Sequence, residues 1–251
     1  MSLKTSIAEL AKRLKPSQRV SVVTGAGVSA ASGIPTFRDA EGLWEHHSLE
    51  NLATPEAFAR QPELVWKWYD WRRQRIATCQ PNQAHKILAK WSGRYSSFKL
   101  LTQNVDGLHE RAGTKNVTRF HGSIWELRCT GHCETTRSGW VNKTVPLPTL
   151  PPRCPHCNCL ARPGVVWFGE PIQNHVLDIA TSAVTCDLFF VIGTSSVVYP
   201  AAGLVKQASA KGAFTVEINP ETTPVTKELD LALKGPAETI LELIEAALLP
   251  M

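Results

Sequence analysis

The sequence predicts an α/β fold: a parallel sheet covered by helices on both faces, with a smaller domain formed by insertions. Short apolar runs at Val20–Val23, Phe98–Leu101, Leu188–Ile192 and Phe214–Ile218 alternate with helix-length stretches. Near-continuous apolar strands alternating with helices belong to parallel sheets buried on both faces. Two stretches break the alternation. Residues 40–85 are rich in Trp, His and Arg and read as helices outside the sheet, and residues 126–163 hold most of the cysteines and a proline cluster between Thr144 and Pro152.

Composition bounds the function. With 251 residues, 43% hydrophobic and 20% charged, the chain can bury a large core unaided and sits near the globular average. At about 150 residues per domain it falls between one domain and two. No apolar run reaches the roughly 18 residues of a membrane helix, so no membrane partner is expected. A formal charge of +5 is too mild to imply nucleic acid. Seven cysteines, four of them in two close pairs, argue against a secreted disulfide framework and for a cytoplasmic enzyme. The basic N-terminus lacks the apolar core of a signal peptide. With Glu9 as its one acid it also fits a short transit peptide, but Ile7, Leu10, Ala11 and Leu14 fit a plain first helix better.

Taken in order, Arg19–Thr24 is the first strand; Gly25-Ala26-Gly27 and then Ser29–Gly33 read as turn and helix. Gly25–Ala30 approximates a dinucleotide fingerprint with Ala30 in the third glycine's place, where backbone N–H groups can approach a pyrophosphate. The usual ribose-binding acid is missing. Glu45 lies at that distance, but in a Trp-flanked insertion rather than after a strand, which disfavours a hydride-transferring dehydrogenase. Helices follow at 173–184, at 201–211 before Gly212, and finally at 237–249, a Leu-rich amphipathic segment.

Polar residues fall where strands end: Gln103-Asn104-Val105-Asp106, Gly193-Thr194-Ser195 and Asn219-Pro220-Glu221. Ligands of open parallel sheets bind outside the carboxyl ends of strands. Each cluster could also merely cap the next helix, but together with the glycine turn they favour a site. His121, followed by Gly122, is suited to taking a proton at neutral pH.

Cys129-x3-Cys133 and Cys154-x2-Cys157 are spaced for a tetrahedral zinc, which four thiolates would close as a structural site. Local disulfides or buried free thiols are the alternatives. Cys159 is a second candidate beside Cys157, and His132 and His156 lie inside the knuckles. Cys79 and Cys186 read as core or surface thiols.

The ordered set of Gly25-Ala26-Gly27-Val28-Ser29, Gly33-Ile34-Pro35-Thr36-Phe37-Arg38, Gln103-Asn104-Val105-Asp106, His121-Gly122, the four cysteines and Gly193-Thr194-Ser195 resembles the sirtuin family. The resemblance implies a Rossmann-like domain from residues 1–39, 86–125 and 164–251. The helical insertion 40–85 and the zinc-binding insertion 126–163 would form the small domain. It implies NAD consumed as a co-substrate, one structural zinc, acyl-lysine proteins or peptides as partners, and a monomer. An acyl-lysine oxygen would attack the nicotinamide ribose, and His121 would then activate a ribose hydroxyl, giving free lysine and 2′-O-acyl-ADP-ribose. Asn104, Gln103, Val105 and Asp106 would surround the nicotinamide ribose. Residues 25–44 would supply the phosphate turn and a loop, with Gly25, Ala26, Gly27, Ser29, Pro35, Thr36, Phe37, Arg38 and Trp44 on the coenzyme. Gly193, Thr194, Ser195, Asn219, Pro220, Glu221 and Ala237 would line the adenosine side. Val166, Trp167, Phe168, Gly169 and Glu170, after Val165, resemble the strand that pairs with substrate by β-augmentation. The three residues between Cys129 and Cys133, where two are usual, depart from the family pattern.

Tyr69 and Arg72 are three apart on a helix and share a face. A guanidinium forks onto a carboxylate and a phenol adds a third hydrogen bond. The pair resembles the signature of sirtuins that remove succinyl, malonyl and glutaryl groups, and Ala53 resembles the small residue that enlarges their acyl pocket. The expected function is therefore desuccinylation and demalonylation, with weaker deacetylation. Mono-ADP-ribosyl transfer is the enzymatic rival. A zinc-ribbon nucleic-acid module is a remote one, disfavoured by the absence of a basic run.

Overall fold

A computed structural model describes residues 2–35, 52–131, 133 and 139–248. The chain opens with helix α1 (Leu3–Arg13), capped by the Ser2 hydroxyl, which accepts from the Thr5 amide. Strand β1 (Arg19–Thr24) follows. After the insertion come helices α2 (Pro55–Arg60), α3 (Pro62–Thr78) and α4 (Gln83–Arg94). Next are β2 (Ser97–Thr102), α5 (Leu108–Arg111), β3 (Val117–Arg119), β4 (Gly122–Cys129), β5 (Trp140–Val141) and β6 (Ala161–Val165). The chain closes with α6 (Asn174–Ala183), β7 (Leu188–Ile192), α7 (Leu204–Ala210), β8 (Phe214–Asn219), β9 (Leu231–Lys234) and α8 (Ala237–Leu248).

Six strands form one sheet in the order β3-β2-β1-β7-β8-β9, and the pairs are all parallel. The order reverses between β1 and β7, which is the topological switch point of a doubly wound sheet. Alternation along the strands divides the core. Val20, Val22, Leu100, Phe190, Ile192 and Val216 pack beneath α1, α4 and α8, while Val23, Leu101, Phe189 and Val191 face α6 and α7. Burial on both sides is what excludes polar residues from β7, all five of whose residues are buried.

A second, antiparallel sheet has the order β5-β4-β6. Its Ile124, Leu127, Ala161 and Val165 share one apolar core with Ala57, Phe58, Val65, Trp66 and Tyr69 of α2 and α3. The two insertions thus shield each other. Arg73, fully buried, fastens them: its guanidinium donates to the carbonyls of Ile124 at 3.0 Å, Asn142 at 2.8 Å and Thr144 at 3.1 Å. The boundaries expected at 85, 125 and 163 fall inside α4, β4 and β6 respectively.

Two elements depart from expectation. The segment after the glycine turn is a 3-10 helix, Ala26–Ser32, instead of an α-helix, closed by Gly33 at φ 84°. Its first turn is pinned against β7, because Gly25 and Gly27 donate to the Ile192 and Gly193 carbonyls at 3.0 and 2.8 Å, and the buried Ser29 side chain is anchored elsewhere. The stretch 201–211 is likewise divided into a 3-10 turn, Ala201–Gly203, and α7.

Candidate active site and metal centre

The ends of β1, β2, β7 and β8 meet along one edge of the parallel sheet. Gly25, Gly27 and Gly193 make this possible by backbone contact. A Cβ on Gly25 would lie 2.6 Å from the Thr194 Cβ, and one on Gly27 would lie 2.8 Å from the Gly193 Cα. Side chains complete the edge. Gln103 Nε2 donates to Thr194 Oγ1 at 3.0 Å, and Asn219 Nδ2 donates to the Thr194 carbonyl at 2.7 Å.

Below the switch point lies a buried chain of polar groups. Asn104 Nδ2 donates to the Gly25 carbonyl at 3.0 Å and to Ser29 Oγ at 3.2 Å. The Ser29 hydroxyl donates to Asp106 Oδ2 at 2.8 Å, and Asp106 Oδ1 accepts from the Leu108 amide at 2.8 Å. Burial pushes the Asp106 carboxyl above its ordinary range, and the Leu108 and Ser29 donors oppose this. Both amide protons of Asn104 are committed, which leaves its Oδ1 to accept from a ligand.

His121 follows β3 and precedes β4. Its Nδ1 lies 2.9 Å from the Gln103 carbonyl, and a carbonyl can only accept, so that nitrogen carries the proton and Nε2 keeps its lone pair. Burial lowers the His121 pKa from 6.5, with the Gln103 carbonyl acting against it, so the ring is neutral at pH 7. The bend that sets the ring depends on Gly122. Its φ is 75°, and a Cβ there would lie 2.2 Å from the Gly164 carbonyl oxygen.

Sequence reasoning missed two histidines behind the site. His85 and His109 are 0% and 1% exposed, with ring centroids 4.8 Å apart. His85 Nε2 lies 3.4 Å from Ser29 Oγ, and His109 Nε2 lies 3.0 Å from Thr24 Oγ1. Burial drops the His85 pKa to about 4 and the His109 pKa well below 6.5, the neighbouring His85 adding to the latter. Only Asn82, which caps α4 and touches His85 Nδ1 at 3.1 Å, offered a signal in the sequence.

Tyr69 and Arg72 lie on α3, with the Arg72 guanidinium 4.7 Å from the Trp68 ring centre and 5.8 Å from that of Tyr69. The indole of Trp167 donates to the Tyr69 oxygen at 2.9 Å. Burial pushes the Tyr69 pKa up to about 12, with the Arg72 charge opposing, so the phenol keeps its proton and can donate it onward. Among the described residues no carboxylate or carbonyl accepts from Arg72. Ala53 is held nearby, its carbonyl accepting the Phe168 amide at 2.9 Å.

Residues Val166–Glu170 differ from the expected strand. Strand β6 ends at Val165, the Val166 amide is taken by the His121 carbonyl at 2.9 Å, and the Glu170 amide closes a turn onto the Trp167 carbonyl at 3.0 Å. The Glu170 carboxylate serves that turn, accepting from Arg162 Nη2 and from the Trp167 amide, both at 2.8 Å. Phe168 is 47% exposed. Ala237 is buried at the start of α8. Thr36, Phe37, Arg38 and Trp44 lie outside the described residues, as do Glu45 and His132.

All seven cysteines are free thiols. The sulfurs of Cys129, Cys154 and Cys157 lie within 4.8 Å of one another. Cys129 and Cys157 are 3.3 Å apart, and Cys133 is 4.0 Å from Cys154. A tetrahedron with bonds of about 2.3 Å has edges of about 3.8 Å, so these thiols fit a structural zinc. The Gly131 amide donates to Cys129 Sγ at 3.3 Å.

A parallel sheet with a glycine switch point, a half-buried neutral imidazole beside it and a thiol cluster suited to zinc defines an α/β protein of the nucleotide-binding class. Residues 25–200 match the Sir2 family, and the chain belongs to that family. It is 53% identical over 218 residues to an NAD-dependent protein deacylase of Aquifex aeolicus, covering 86% of this chain and 90% of the other. It is 48% identical over 223 residues to NAD-dependent protein deacylase 1 of Caldanaerobacter subterraneus, covering 88% and 90%. A Sir2 homologue solved in complex with NAD superposes with a TM-score of 0.85 at 44% identity, covering 98% of this chain and 92% of that one.

Proposed function

We propose that this chain, an NAD-dependent protein deacylase of the Sir2 family, prefers lysines carrying succinyl or malonyl groups and removes acetyl more weakly. The net reaction converts acyl-lysine, NAD and water into lysine, nicotinamide and O-acyl-ADP-ribose. Asn104 Oδ1 and the Gln103–Thr194 contact orient the ribose and nucleotide at the sheet edge. His121 Nε2 takes the proton of a ribose hydroxyl, since its other nitrogen is already committed to Gln103. The Rossmann-like sheet and the zinc-bearing module act as two domains, with the peptide between them.

The acyl preference rests on one observation. The Tyr69 oxygen is occupied by the Trp167 indole, so its proton is available to a ligand beside the Arg72 cation. A carboxylate satisfies both donors; an acetyl methyl satisfies neither. Losing one such charged hydrogen bond in a desolvated pocket costs up to about 100-fold in discrimination. Succinyl- and acetyl-peptide hydrolysis by wild type and Arg72→Met tests the proposal. The expected result is a loss of about 100-fold on succinyl-lysine alone; an unchanged rate ratio refutes the carboxylate clamp.

A further inference from the structure

Five thiols gather where a tetrahedral zinc needs four. Cys129, Cys154 and Cys157 form the tight group, and two others border it. Cys133 approaches through Cys154 at 4.0 Å. Cys159 follows Cys157 by two residues, and Cys157 Sγ lies 3.3 Å from Cys129 Sγ. The Cys159 sulfur also lies against Gly131, in the arm between the first two cysteines. A Cβ built on Gly131 would be 2.7 Å from it and 3.6 Å from the Cys129 sulfur. The turn that carries Cys159 is closed on itself: the Cys154 amide donates to the Cys159 carbonyl at 2.8 Å, and the Asn158 amide to the Cys154 carbonyl at 3.0 Å. Asn158, between the two thiols, adopts φ 60°.

We propose that Cys159 is an interchangeable ligand. Zinc is held by Cys129, Cys154 and Cys157, and the fourth position is taken by either Cys133 or Cys159. In the exchange a Zn–S bond to Cys159 forms as the bond to Cys133 breaks. The proton leaving the Cys159 thiol ends on Cys133, and no oxidation is involved. The three-residue gap after Cys129 gives this its physical basis. It leaves Cys133 at the margin of the tight group, 4.0 Å from Cys154, while the Cys154–Cys159 turn sets a second thiol against Gly131.

The inference rests on the zinc reading, and its tests separate the two. Zinc is measured in the full wild-type chain with a metallochromic dye after thiol release. About one ion per chain is expected; none would overturn the zinc reading itself. With zinc bound, brief iodoacetamide labelling and peptide mapping should find label divided between Cys133 and Cys159. Label confined to either one overturns the exchange. The variants Cys133→Ser, Cys159→Ser and the double Cys133→Ser/Cys159→Ser are then loaded with cobalt. Each single variant should keep the charge-transfer intensity of four thiolates and zinc affinity within about tenfold of wild type. The double should fall to three thiolates and bind at least about 100-fold more weakly than the singles. A Cys133→Ser protein already as weak as the double overturns the proposal.

Discussion

The polar edge of the parallel sheet and the cysteine knuckle achieve order by opposite means. At the edge, buried hydroxyl, amide and carboxylate groups meet partners from distant parts of the chain, while Ser196 Oγ and His109 Nδ1 have none among the described residues. Thr24 bonds Thr102 at 2.8 Å, Ser29 bonds Asp106, and Gln103 bonds Thr194. The fold therefore positions these groups before any ligand arrives. In the knuckle the Cys154–Cys159 turn is closed by local bonds, one backbone bond joins Thr130 to Leu160 at 3.0 Å, and the thiols face one another as a set that an ion would complete. The polar edge is preorganised by the fold, whereas the thiol cluster of the small module would gain its order from a ligand.

The largest effect should come from breaking the edge chemically while leaving its order intact. His121→Ala is expected to reduce deacylation by up to about 10⁴-fold. The melting temperature should change little, because His121 is only half-buried; a rate within tenfold of wild type would remove it as the base. Next is Arg73→Met, in the metal-bearing half but ordered by carbonyls. Leaving the buried Ile124 carbonyl and the two partly exposed ones without their donor should cost about 2 to 3 kcal/mol, or roughly 5 to 10 °C in Tm at this size.

Acidification tests the edge in a third way. His85 and His109 are neutral in the fold, and their unfolded counterparts take up protons below about pH 6.5. Stability should therefore be full above that pH and be lost as pH falls from 6.5 toward the His85 value of about 4. The loss from His85 alone is roughly 3 kcal/mol. A melting temperature flat between pH 7 and 4 would contradict the buried pair. Because the His121 pKa is lowered from 6.5 by burial, the acid limb of activity should have its midpoint below 6.5. The smallest effect, and the sharpest contrast, is chelation. Amide exchange should rise about 100-fold in 153–160 while β1 and β7 stay protected. Uniform loss of protection would mean that the two regions do not differ.

The parallel strands were legible because burial on both faces demands continuous Val, Ile, Leu and Phe, as in Leu188–Ile192. The small sheet was not, since β4 and β6 mix Trp, Glu, Arg and Pro and are buried on one side by helices distant in sequence. The glycine turn was legible as a turn but not as a 3-10 segment, which follows from contacts with β7 that local composition does not encode. At the site, Asn104, Asp106 and His121 stood out because they follow strand ends. His85 and His109 did not, since a histidine within a helix looks the same whether it faces solvent or a neighbouring ring. Arg72 drew attention as half of a recognisable pair, while its neighbour Arg73, the deeper residue, carried no motif. Glu170 was read as a substrate-side residue, and its hold on Arg162 and the Trp167 amide was not legible from the sequence.

The interlock of Gly25 and Gly27 with Gly193 has an evolutionary corollary. Any side chain added on one strand collides with backbone on the other, so neither partner can vary alone. The floor of the nucleotide crevice is thereby frozen against stepwise drift. Novelty in what the enzyme accepts must enter through the insertions, whose walls can be rebuilt without disturbing that seam.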